Sequence, residues 1–206
     1  MYVPAHYVQA DLPTLHEFID EHPFGLLISQ QDQLPVATHL PFLLERHAGP
    51  HGTLIAHVAR QNPQWEQFAD QQLLTIFHGP HAYISPAWYE AEKVVPTWNY
   101  AAVHAYGRAT LIEDNDELIA LVSRLTERFE SGRSSPWTFC PAETFVRKMA
   151  MQIVGFRIEI ERIEGKWKLN QNHPVERRRR VIEALRQQGG DDANGIAEMM
   201  AKAIGE

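Results

Sequence analysis

Between residues 24 and 112 the chain strings together short apolar runs rich in β-branched and aromatic residues, each cut off by a turn signal. This pattern restricts the available folds more than any other feature. The runs cover 24–29, 34–44, 53–58, 73–77 and 83–85. The breaks are Asp32-Gln33, Ala48-Gly49-Pro50 and Gly79-Pro80, residue types that suit turns. Residues 94–112 then form the longest strand-like stretch, with Trp98, Tyr100, Val103, Tyr106 and Leu111. Further on, Ile153, Phe156, Ile158, Ile160 and Ile163 alternate with Arg157, Glu159 and Glu161. That is the period of a half-exposed strand, with a slip at Gly155 that predicts a bulge. Gly165 is expected to turn the chain, and 167–169 to return as a separate strand. Helical signals lie between and after these runs. Asp11 caps a helix closed by His22-Pro23, and Asn62-Pro63 opens a short one carrying Trp65 and Phe68. Longer helices are expected at 114–130, 143–151, 174–188 and 194–204. About seven strands alternating irregularly with helices predict an α+β chain built on an antiparallel barrel.

At 206 residues the chain has room for a real core, and no low-complexity linker divides it. The expected organisation is a domain over 1–172 with a helical extension, 173–206, packed on it. A hydrophobic content of 44% and a charged content of 22% exclude disorder, coiled coil and collagen. The net charge of −7 argues against bulk attraction to nucleic acid or to anionic membrane. Cys140 is the sole cysteine, so neither an internal disulfide nor a multi-cysteine zinc site is expected. The N-terminus lacks the basic and apolar regions of a signal peptide, and no apolar run is long enough to span a bilayer. The expectation is a cytoplasmic protein. There is no G-x-G-x-x-G, Walker A or G-x-S-x-G motif.

Four segments concentrate polar and aromatic side chains. In the first, Ala56 to Trp65, a strand gives way to a helix: the plainer reading is a solvated Arg60 beside a capping Asn62, the sharper one a phosphate dianion held by Arg60 and free amides at the helix start. The second, Phe77 to Tyr89, contains Tyr83, Ser85 and Trp88. Its aromatics suit stacking on a flat ring or plain core packing, and its His78/His81 pair lacks the further ligands a metal needs. In the third, Val95 to Gly107, Thr97, Asn99 and backbone groups offer donors and acceptors for the edge of a heterocycle, or the segment is a plain half-buried sheet. In the fourth, Gly165 to Asn172, Lys168 suits a phosphate, and Gln171 and Asn172 suit polar ring atoms. The run Arg177 to Arg180 reads most simply as the solvent face of a helix, and no helix-turn-helix accompanies it.

The ordered set HLPF (39–42), HVARQNPQW (57–65), FHGPHAYISPAWY (77–89), VPTWNYAAVHAYG (95–107) and IVGFRIEIERIEGKWKLNQN (153–172) resembles the PaiB family. These are FMN-binding proteins named as negative transcriptional regulators of protease synthesis and sporulation. The opening MYVPAHY fits as well, so the resemblance spans roughly residues 1–190. In two places the sequence departs from the family pattern. Glu90 to Lys93 forms a shorter connection, and Asn170 stands where serine is expected.

The resemblance implies a split β-barrel like those of the pyridoxamine-phosphate-oxidase and flavin-reductase groups. It implies a homodimer with FMN in the cleft between subunits. His57 and Arg60 would then serve the phosphate end. Tyr83, Ser85, Trp88, Thr97, Trp98 and Asn99 would line the cofactor, and Lys168, Gln171 and Asn172 would reach it from the partner chain. The expected role is a flavin- or redox-sensing regulator, with direct DNA contact its least supported part. The competing readings are an FMN-dependent oxidoreductase and a haem-binding split barrel. No residue stands out as a general acid or base.

Overall fold

The computed structural model describes the backbone of all 206 residues and every side chain except those of Ala69 and Asp70. Strand β1 (Val8–Gln9) and helix α1 (Leu12–Glu21) open the chain. Strands β2 (Phe24–Gln31), β3 (Leu34–Pro41), β4 (Leu43–Glu45), β5 (Thr53–Ala59), β6 (Leu73–Ile84) and β7 (Thr97–Ile112) follow. After helices α2 (Asn115–Glu130) and α3 (Thr144–Ala150) comes β8 (Ile153–Lys168), then α4 (Val175–Gln188) and α5 (Asp191–Lys202). Short 3-10 segments lie at Ala5–Tyr7, Pro63–Asp70 and Pro86–Tyr89. The strands form one sheet in the order β3-β2-β6-β7-β8-β5-β4, with β1 paired to β8. The pairings β1–β8, β2–β3, β2–β6, β4–β5 and β5–β8 are antiparallel. The α+β antiparallel reading is therefore correct.

The chain divides into two compact units. One comprises Met1–Phe18, Phe77–His104 and Glu164–Glu206; the other comprises Ile19–Ile76 and Ala105–Ile163. In the first unit, the apolar faces of α4 (Val181, Ile182, Leu185) and α5 (Ile196, Ala197, Met200) share a core with Ile84, Tyr89 and Leu169. Residues three and four apart lie on one face of a helix, so 181 and 182 with 185, and 196 and 197 with 200, make an apolar stripe on each helix. Arg178 lies on the same stripe of α4 and is buried. Its Nε and Nη2 have no partner among the described residues, and burial pulls its pKa below the usual range. The arginine run is thus not uniformly a solvent face.

In the second unit, Asp32 and Gln33 both take the left-handed backbone (φ 51° and 66°) and join β2 to β3 in a two-residue hairpin. Asp114 caps α2 by accepting a bond from the Glu117 amide at 2.8 Å. That helix buries Leu118, Ile119, Leu121 and Leu125 in a core with Ile55, Ile112 and Ala150. Strands β3 and β5 also touch, bringing this part of the sheet back towards itself.

Three local expectations change. The Gly79-Pro80 break is absent, because β6 runs unbroken from Leu73 to Ile84. The slip at Gly155 is not a bulge: β5 and β8 stay in register from Thr53↔Glu159 to Ala59↔Ile153. A Cβ on Gly155 would lie 2.8 Å from Leu118 Cδ1, so the glycine admits α2 against the strand. Nor does Gly165 turn the chain. It sits inside β8 opposite Gln9, where a Cβ would fall 2.3 Å from Leu15 Cδ2 and 2.8 Å from the Gln9 carbonyl oxygen. Both glycines answer a close approach, which looks the same as a turn signal in the sequence.

Candidate functional site

A concavity lies in each unit; of the expected site residues, Thr97, Lys168 and Asn172 line the first and His57 lines the second. In the first unit, a basin of about 290 Å³ is lined by Lys93, Thr97, Lys168, Asn172, His173 and Arg177, among others. The end of β8 delivers Lys168 to the start of β7. Its Nζ donates to Thr97 Oγ1 and, at 2.6 Å, to the Trp98 carbonyl. Burial lowers the Lys168 pKa, and the neighbouring charge of Lys166 lowers it further. His173 stacks on Tyr89 with ring centroids 4.8 Å apart, and burial followed by the Arg177 charge depresses its pKa. Positive groups therefore crowd this basin, and an anion placed there would relieve their repulsion.

Two tyrosines set the polar wall. Tyr7 Oη donates to Asn172 Oδ1 at 3.0 Å, and Asn170 Nδ2 donates to Tyr89 Oη at 3.0 Å. Asn170 has φ 60°, a backbone that asparagine tolerates better than most residues. Its side chain links this turn directly to Tyr89. Lys93 is also left-handed, with φ 59°.

The other expected residues of this unit differ in what they offer. Tyr83 and Trp98 are about half exposed and meet edge to face, with centroids 5.9 Å apart. His81 lies 6.1 Å from the same indole, so β6 and β7 present an aromatic surface. Ser85 caps the 3-10 segment Pro86–Tyr89, accepting from the Ala87 amide at 3.3 Å, and Trp88 packs against the helical core. Asn99 is fully buried, with Nδ2 3.4 Å from Met200 Sδ and Oδ1 unpartnered among the described residues. Gln171 is occupied locally: Oε1 accepts from the Leu169 amide at 2.7 Å, and Nε2 donates to the Trp167 carbonyl at 2.6 Å. Asn99 and Gln171 thus act in core packing and in a turn. Sequence reading did not place Tyr7, His173 or Arg177 beside Lys168.

His57 and Arg60 lie in the second unit. The Arg60 guanidinium donates from Nε to the Met151 carbonyl at 2.8 Å and from Nη2 to the Ile153 carbonyl at 3.0 Å. It thereby latches the end of α3 to the start of β8. The amides of Arg60, Asn62 and Gln64 are bonded to Gln152 O, Ala59 O and Asn62 Oδ1. The expected nest of free amides at this helix start is therefore not formed by these three. His57 borders a concavity of about 260 Å³ walled by Ile119, Val122, Phe139, Val146 and Met149. Burial lowers its pKa, and its Nδ1 has no partner among the described residues. Such surroundings favour a neutral imidazole over a phosphate ligand.

The sequence matches a family described as "Putative FMN-binding domain" over residues 1–162. It is also 36% identical over 202 residues to the Bacillus subtilis protein "Protease synthase and sporulation protein PAI 2", covering 97% of this chain and 96% of that one. The chain belongs to this PaiB-type FMN-binding family. The family reaches beyond bacteria: an uncharacterized Aspergillus fumigatus protein is 32% identical, covering 96% of this chain and 95% of its own. Among solved structures, the flavocytochrome Anf3 of Azotobacter vinelandii superposes with a TM-score of 0.62 at 15% identity, covering 81% of this chain and 72% of its own. The FAD- and haem-binding protein of Mycobacterium smegmatis does so with 0.62 at 17% identity, covering 90% and 81%. At these identities the likeness establishes the fold, an antiparallel split barrel with flanking helices. Among the described residues, no helix is long and apolar enough to cross a membrane.

Proposed function

We propose that the protein binds FMN as a homodimer and acts as a flavin-dependent regulator of the kind its Bacillus relative's name suggests. The observation that carries this reading is the basin around Lys168. FMN ends in a single phosphate dianion, and Lys93, Lys168 and Arg177 provide cations around one small polar hollow. Thr97, Asn172 and the tyrosine hydroxyls suit the ribityl chain, and Trp98 with Tyr83 offers an aromatic wall for the tricycle. At about 290 Å³ the hollow is at the lower edge of the ~300–1,000 Å³ typical of ligand sites. A whole flavin needs a second wall, and we assign that wall to a second copy of the chain.

When bound, FMN supplies one- and two-electron chemistry. The chain's own residues bind and orient it. The pairing of Arg179 with Glu206 and of Arg180 with Glu90 does not favour direct reading of DNA by α4. Regulation is therefore assigned to changes in the dimer or its partners on flavin binding. The test is the visible spectrum of freshly purified protein, followed by titration with FMN and FAD and measurement of molar mass. Flavin bands, tighter binding of FMN than of FAD and a dimeric mass are expected. A Soret band without flavin, or a monomer that binds neither nucleotide, would overturn the proposal.

A further inference from the structure

The concavity at His57 is open to solvent yet lined almost wholly by apolar side chains. Its outer residues are unusually exposed for their type: Trp137 at 63%, Phe145 at 70% and Met149 at 51%. Exposed apolar groups converging on one hollow mark a binding surface more often than chance packing. No lysine, arginine, aspartate or glutamate lines it, so a charged occupant would lose its hydration without gaining a counter-ion. Within the lining, His57 Nδ1 is buried and has no hydrogen-bond partner among the described residues. A neutral imidazole can accept or donate there, depending on its tautomer.

Size narrows the occupant. An apolar cavity of about 150 Å³ takes up benzene, so about 260 Å³ accommodates one or two fused rings. Trp137 and Phe139 stand with centroids 5.7 Å apart and planes inclined at 36°, and Met149 adds a polarisable sulfur that suits ring contacts. The wall is anchored where it meets β8, because Arg60 ties down the carbonyls of Met151 and Ile153 immediately after α3. We propose that this hollow binds an uncharged aromatic molecule of one or two fused rings, whose single hydroxyl, carbonyl or ring nitrogen pairs with His57 Nδ1. The site is separate in its chemistry from the cationic basin and does not rest on flavin binding.

Calorimetric titration of the full chain with 2-naphthol and with 2-naphthalenesulfonate tests the proposal. One 2-naphthol per chain is expected, with the sulfonate bound at least about tenfold more weakly, because the charge finds no partner. Val122→Trp, at a half-buried position on α2, should fill the hollow and abolish naphthol binding while leaving FMN affinity unchanged. Thr126→Trp serves the same purpose should the first variant fail to fold. His57→Phe should weaken 2-naphthol by about tenfold and leave naphthalene unaffected, separating a hydrogen bond from simple packing. Absence of naphthol binding to the wild type, equal binding of the sulfonate, or binding that survives either tryptophan variant would overturn the proposal. Displacement of naphthol by FMN would do so as well, while leaving the flavin reading intact. Naphthol binding by a chain that takes up no flavin would support the aromatic site and sink the flavin reading instead.

Discussion

The two hollows are nearly equal in size, about 290 Å³ in the first unit and 260 Å³ in the second, yet burial has opposite consequences in them. Around Lys168, burial acts on groups that are held together by a mesh of hydroxyls and amides, and the positive charges stay close to one another. Around His57, burial acts on one imidazole among hydrocarbon, and the cheapest response is to remain neutral. Desolvation penalises charge in both places. What differs is whether the surroundings supply polar partners, and this decides whether a hollow suits an anion or a neutral ring.

The sharpest way to break this contrast is to remove the basin's central charge. Lys168→Met should weaken FMN by ten- to a hundredfold in a flavin-fluorescence titration, since a charge-assisted bond is worth about 1.5–3 kcal/mol. Unchanged affinity would move the phosphate elsewhere. Arg177→Ala should cost about tenfold, because the guanidinium lines the basin but has fewer ties within it. Arg60→Ala should change FMN affinity by less than about threefold while lowering the unfolding midpoint in denaturant, because what is lost is two carbonyl bonds far more than any ligand contact. The reverse ranking of Lys168 and Arg60 would place the phosphate in the second unit.

Smaller effects sharpen the comparison. His57 and His173 both have pKa values below their ordinary 6.5. The unfolded chain therefore binds more protons than the folded one as pH falls through 6.5, and stability should fall with it until the folded-state values are passed. His57→Phe should flatten part of that slope in denaturant melts at pH 7.5 and pH 5.5. A slope unchanged by the substitution would mean that the imidazole is not held neutral by burial. Asn170→Ser should cost about 1 kcal/mol through loss of the bond to Tyr89. Equal melting of the two proteins would show that bond to be idle.

The α+β antiparallel character, most helix positions and family membership were legible in the residue order, because hydrophobic period and turn chemistry act over a few neighbouring residues. The HVARQNPQW, VPTWNY and KLNQN motifs also pointed to segments that border the two hollows. Their individual roles were not legible. Arg60 and Gln171 are consumed by carbonyls and amides, and Asn99 turns into the core against Met200. Tyr7 lies far along the chain from Lys168, and His173 and Arg177 come back to it only through the turn that precedes α4.

Gly155 and Gly165 show the limit most clearly: as punctuation in a strand they read as a bulge and a turn, and each instead makes room for a leucine from a helix. Local periodicity fixed which face of each element is apolar. Only the packed structure decided which polar groups lose water, which find partners and which charges are left crowded, because desolvation and pairing depend on neighbours that sequence distance does not reveal.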